Sequence, residues 1–185
     1  MTAAALPLQA RIRPRPPRRT AVLTSLAGAV IVAALASNPL HPFVLLNTTP
    51  SEPPGLYTAA LAPIRVGVII AFRTPEAAFP YADRRLSYLH RTPMLKAVAA
   101  GPGDDVCAAS DRLVINGQDR APIASRDGEG RALPRWTGCR RLGPDELFVF
   151  STRVPNSFDS RYFGPVRRDA VVGVFQPVVT GARKA

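Results

Sequence analysis

Apolar residues fall along this chain in one long block and then in several short ones. Thr20 to Ser37, TAVLTSLAGAVIVAALAS, carries no charge and no proline. As a helix, its eighteen residues span about 27 Å, close to the hydrocarbon thickness of a bilayer. Beyond it the apolar runs shorten to strand length. Gly55-Leu56-Tyr57-Thr58, Val66 to Phe72, Asp105 to Ala109, Arg112 to Ile115, Glu146 to Phe150 and Val171 to Val179 each read as a strand, the last interrupted by Pro177. Asn116-Gly117 is the strongest hairpin signal. Asn38 to Pro50 reads as an extended segment near the membrane, with an apolar patch at Phe43-Val44-Leu45-Leu46. Arg73 to Pro93 reads as irregular, with Phe79-Pro80-Tyr81 placed to face lipid. Ser125 to Thr137 and Ser151 to Val166 read as loops. No useful helical period occurs outside the long block, and no internal repeat. The pattern predicts an all-β domain behind one N-terminal transmembrane helix.

Composition agrees. Twenty prolines and thirteen glycines suit strands and turns better than a helical bundle. The net charge of +11 is uneven: Arg11, Arg13, Arg15, Arg18 and Arg19 precede the apolar block with no acid among them. Residues 1–19 read as a disordered cytoplasmic tail, 20–37 as a signal anchor, and 38–185 as one compact domain. The positive-inside rule keeps the tail in the cytoplasm, which puts the domain in the periplasm of a Gram-negative cell, tethered to the inner membrane. Lipid is then a partner. Nucleic acid is not: there is no zinc-finger spacing and no RNA-binding aromatic motif. Ala34-Leu35-Ala36 keeps a competing reading open, a signal peptide cleaved after Ala36. Intact mass of the mature protein separates the two.

The two cysteines, Cys107 and Cys139, are too far apart for CxxC and too few for a structural zinc site. No metal or cofactor motif is present. In an oxidising compartment the two can pair; in the cytosol they would be free thiols. The histidines, His41 and His90, do not suit a Ser-His-Asp triad, and GxSxG, P-loop and HExxH motifs are lacking. What remains is serine with lysine. Ser51 precedes Pro53-Pro54-Gly55, a stiff turn able to present a nucleophile or merely to reverse the chain. Lys96 sits inside Met94-Leu95-Lys96-Ala97-Val98-Ala99-Ala100. Buried there, its amine would lose basicity, as a general base requires. At a strand edge it would instead reach solvent. Local sequence leaves both choices open.

Three stretches taken together resemble one family. Ser51-Glu52-Pro53-Pro54-Gly55-Leu56-Tyr57 is similar to the S-x-P-x-G-L-Y box of conjugative-transfer signal peptidases, the TraF-like branch of signal peptidase I. Leu95 to Asp104, LKAVAAGPGD, resembles the box of a lysine, a short apolar run and P-G-D. Asn156 to Val166, NSFDSRYFGPV, resembles N-S-x-D-S-R-x-x-G-x-V. Asp111 to Gly117 resembles the family's D-x-x-x-I-N-G. The resemblance implies a β-rich catalytic core of the signal peptidase and LexA-like kind, and a Ser-Lys endopeptidase without cofactor. By position, Ser51 matches the nucleophile, Lys96 the base and Ser157 a serine that orients the lysine amine. Asp159 and Arg161 match supporting residues, and Thr49 stands where a hydroxyl helps bind the oxyanion. General signal peptidases carry G-D-N where this chain has Ser151-Thr152-Arg153.

The resemblance implies an exported precursor as partner, foremost a pilin subunit to be matured and cyclised. Small residues are expected at the substrate's −1 and −3 positions. A general signal peptidase for secretory precursors is the alternative activity. A self-cleaving repressor of LexA-like fold needs a DNA-binding domain, and nothing resembling one precedes Ser51. A non-catalytic periplasmic component of a conjugation or secretion apparatus accounts for anchor and β-domain, but not for the coincidence of the boxes.

Overall fold

In a computed structural model, residues 43–181 are described, except 80 and 110. The tail and anchor expected at 1–19 and 20–37 lie outside the described residues, as does Pro80. Among the described residues no helix is long and apolar enough to cross a membrane.

Among the described residues eleven strands form two antiparallel sheets, so the domain is all-β as its short apolar runs require. The first sheet contains β1 (Val44–Asn47), β2 (Gly55–Ala60), β3 (Ile69–Phe72), β4 (Met94–Ala100), β9 (Glu146–Val149), β10 (Val166–Arg167) and β11 (Val171–Thr180), in the order β1-β2-β11-β3-β4-β9-β10. The second contains β5 (Asp105–Ala109), β6 (Arg112–Ile115), β7 (Gln118–Pro122) and β8 (Gly138–Arg141), in the order β7-β6-β5-β8. Among the described residues there are also two short α-helices, α1 (Tyr81–Arg85) and α2 (Ser160–Phe163).

Strand β9 joins the two cores. Leu147 and Val149 pack with Ile70, Phe72 and Val98 beneath the first sheet. Phe148, from the opposite face of the same strand, packs with Val106, Leu113 and Ile115 of the second. The period of two sends alternate side chains to opposite faces, so a strand buried on both sides reads as a continuous apolar run. That is how Glu146-Leu147-Phe148-Val149-Phe150 reads.

Several elements differ from the expectations. Val66 and Gly67 form a turn, and the strand begins only at Ile69. The segment before Ser51 supplies an edge strand, β1, paired with β2 from Val44↔Thr58 to Asn47↔Gly55. Pro177 does not end the last strand: β11 runs on to Thr180, and a register shift between Pro177 and Val179 absorbs the missing N–H. Arg73 to Pro93 contains α1 and two 3₁₀ turns, Glu76–Ala78 and Ser87–His90, which bury Ala78, Ala82 and Leu89. The unpredicted β7 and β8 are mostly exposed and polar, so they carry no apolar signature. At the predicted hairpin, Asn116 and Gly117 both take positive φ, 50° and 75°. Cys107 and Cys139 face each other across β5 and β8 and form a disulfide.

Candidate active site

The turn between β1 and β2 presents Ser51. Asn47, the last residue of β1, organises it from within. Its Nδ2 donates to the carbonyls of Thr49 (3.0 Å), Glu52 (2.9 Å) and Pro53 (3.1 Å). Its Oδ1 accepts from Thr49 N (3.1 Å) and Thr49 Oγ1 (2.8 Å). The Tyr57 hydroxyl also donates to Pro53 O, at 2.7 Å. Gly55 lets the chain leave the turn: its φ is +151°, and a Cβ there would stand 2.1 Å from Val179 O on the neighbouring strand.

Lys96 enters from β4. Met94, Lys96, Val98 and Ala100 are buried and alternate with half-buried residues, so the strand's period places an amine on the core face. Lys96 is 5% exposed and does not snorkel. Its Nζ donates to Ser157 Oγ at 2.9 Å. Burial disfavours the ammonium and brings its pKa from 10.5 down to about 8. The charges of Asp159 and Glu52 oppose that shift, and Arg161 adds to it.

Ser51, Thr49, Lys96 and Ser157 line one groove of about 300 Å³, whose walls are apolar side chains such as Leu45, Leu89, Met94 and Phe158. Ser51 Oγ lies 3.3 Å from Thr49 Oγ1. Among the described residues the Ser51 hydroxyl makes no hydrogen bond to Lys96. Thr49 has one hydroxyl proton, and it goes to Asn47 Oδ1, so its oxygen accepts from Ser51 in this arrangement.

Asp159 and Arg161 lie behind the groove, 0% and 1% exposed. Arg161 Nε and Nη2 grip the two carboxylate oxygens at 2.8 and 3.0 Å. The guanidinium also donates to Ser157 O (2.9 Å), Pro122 O (3.0 Å) and Pro155 O (3.3 Å). One fully bonded ion pair therefore sets the backbone of the loop that carries Ser157. Asp159 caps α2 as well, accepting from Arg161 N, and its Oδ2 accepts from Ser151 N.

Sequence reading missed Asn47, Glu52 and Ser151. Ser151 Oγ donates to Ser51 O, and Arg153 Nε donates to Pro50 O at 3.4 Å. The stretch that departs from G-D-N thus braces the Ser51 turn directly. That departure was the available signal; for Asn47 there was only a polar residue ahead of Thr-Thr-Pro-Ser. Cys107 and Cys139 stand on the other sheet and do not line the groove. Among the described residues no group of three or more His, Cys, Asp or Glu is placed to hold a metal ion.

A family model described as "Signal peptidase, peptidase S26" matches residues 18–180. A plasmid transfer protein TraF of Escherichia coli is 32% identical over 175 residues, covering 86% of this chain and 98% of that protein. A conjugal transfer protein TraF of Agrobacterium tumefaciens (strain 15955) is 33% identical over 174 residues, covering 88% of this chain and 97% of that one. A solved signal peptidase I from Enterococcus faecalis V583 superposes with a TM-score of 0.39 at 21% identity, over 63% of this chain and 100% of that one.

Proposed function

The chain belongs to the signal peptidase family, peptidase S26, in its TraF-like branch, and from that premise we propose a membrane-anchored serine endopeptidase that matures an exported precursor, foremost a conjugative pilin subunit. The observation that carries this reading is the groove itself. It sets the Ser51 hydroxyl and a buried, weakly basic Lys96 amine in one apolar wall.

In the proposed reaction neutral Lys96 takes the proton of Ser51 Oγ, and the oxygen attacks the scissile carbonyl. The hydroxyl must turn from Thr49 to Lys96 for this, a rearrangement that suits a site closing on its substrate. The Ser51 N–H stabilises the oxyanion; such a donor is worth roughly 3 kcal/mol. Thr49 joins it only if its hydroxyl leaves Asn47. The Lys96 ammonium returns the proton to the departing amine, leaving an acyl-Ser51 ester. Water then gives a cut product; a chain-end amine gives a ligated or cyclic one. In both cases Lys96 takes the incoming nucleophile's proton and returns it to Ser51 Oγ. With 20–37 as anchor the site stays near the periplasmic membrane face where precursors emerge, so encounter becomes a local search.

The test is mass spectrometry of a co-expressed prepilin with native protein, Ser51→Ala and Lys96→Ala. Loss of processing in both variants is expected. Normal processing by either overturns the dyad and leaves the non-catalytic reading.

A further inference from the structure

Glu52 takes no part in that reaction, although it is next to Ser51 in the chain and 5% exposed. Its Oε1 accepts from Ala97 N at 2.9 Å. Ala97 faces the β9 side of β4, where its carbonyl accepts from Phe150 N. The Glu52 carboxylate supplies the acceptor for the companion N–H. A side chain of the Ser51 turn therefore closes the ladder of the Lys96 strand, one residue from each functional group.

The charge of Glu52 is a second matter. A glutamine would accept the same N–H without the cost of burying an anion. What the carboxylate adds is its field. The charged groups acting on it are Lys96, Arg153 and Asp159, with Tyr57 beside it and Arg120 on the wall of the same small cavity. Lys96 itself is acted on by Glu52, Asp159 and Arg161. Burial raises the Glu52 pKa above the ordinary carboxylate value, and the Ala97 N–H and the Lys96 charge offset that rise only in part.

We propose that Glu52 is a positioning residue that latches the Ser51 turn to the Lys96 strand and whose negative charge holds the Lys96 proton between its uptake from Ser51 and its delivery to the leaving amine. The latch keeps the two groups in register. The charge keeps the ammonium from losing its proton to solvent while the acyl intermediate forms. This rests on the Ser-Lys reading above, but the test does not require turnover.

The chain has two lysines, Lys96 and Lys184, so full-length protein carrying ¹³Cε-lysine shows two titrating signals, assigned by Lys184→Arg. In native protein the Lys96 signal should titrate at about 8. In Glu52→Gln, which keeps the acceptor, it should fall by about one pH unit while the Ala97 amide keeps its protection from hydrogen exchange. In Glu52→Ala the titration should fall and that protection should drop at least about tenfold. An unmoved Lys96 titration in Glu52→Gln, or a fully protected Ala97 amide in Glu52→Ala, overturns the proposal. If Ser51→Ala still processes precursor, the enzymatic reading fails on its own, and the titration still decides whether Glu52 acts on Lys96.

Discussion

The two sheets treat charge in opposite ways. At the site end of the seven-stranded sheet, Glu52, Lys96, Asp159 and Arg161 are all buried. On the four-stranded sheet, the Arg112–Asp119 and Arg141–Asp105 pairs lie in solvent, and stability comes from an apolar core and the Cys107–Cys139 bridge. Exposed pairs are screened and worth little. Buried ones are costly to desolvate and costly to break. One sheet is thus built for persistence, while the other gives up stability to hold buried charged groups in fixed positions.

The largest expected effect is catalytic. Ser51→Ala or Lys96→Ala should lower processing by about 10⁴-fold or more, measured as precursor turnover, with the fold retained. Next comes the buried pair. Arg161→Ala removes the ion-pair partner of buried Asp159, leaving it only backbone N–H donors, and should cost about 3–5 kcal/mol in urea unfolding, with loss of processing as the Ser157 loop loosens. An equally large loss from Arg141→Ala would erase the contrast between the sheets.

The disulfide ranks third. Cys107→Ser with Cys139→Ser should cost about 4 kcal/mol in the chain-entropy model while processing by the folded fraction is unchanged. Loss of turnover in folded protein would show that the second sheet tunes the site.

A smaller effect of opposite sign is expected at Lys96. Its folded pKa lies below the ordinary lysine value, so the unfolded chain binds the proton more tightly between pH 8 and 10.5. The buried ammonium therefore costs stability at neutral pH, and the cost is relieved as pH rises through that window. Lys96→Met should be inactive yet more stable than native protein at pH 7, by about 1–3 kcal/mol, with the advantage shrinking toward pH 10.5. For the active protein, kcat/KM should rise with pH along a limb centred at about 8, as the neutral amine forms. A flat profile from pH 6 to 9 would contradict a lysine base. Arg141→Ala, on the exposed face, should leave the melting temperature unchanged within error.

Strand legibility followed burial. β3, β5, β6, β9 and β11 show apolar runs or alternation because a core presses on at least one face. β8 is exposed throughout, so its four residues, Gly138–Arg141, are held by pairing to β5 and by the Cys107–Cys139 disulfide, and neither leaves an apolar pattern in the local sequence. Lys96 was half legible: its phase with Met94, Val98 and Ala100 is in the sequence, but its freedom to reach solvent was not decidable there. Asn47 and Ser151 were not legible as site residues, because their partners are a turn's own carbonyls and a residue a hundred positions away.

The sequence by itself determined what local physics encodes: a membrane-length apolar block, a β-rich domain, the Asn116-Gly117 hairpin, and the boxes holding Ser51, Lys96 and the Asp159-Arg161 loop. Only the tertiary structure decided their environments. Whether Lys96 is buried, which group its amine meets, whether the two cysteines pair, and what Glu52 reaches all depend on chain segments brought together from far apart. Burial is a property of the assembled sheets rather than of any one stretch. A basic amine becomes a weak one only when the strands on both sides have taken its water away.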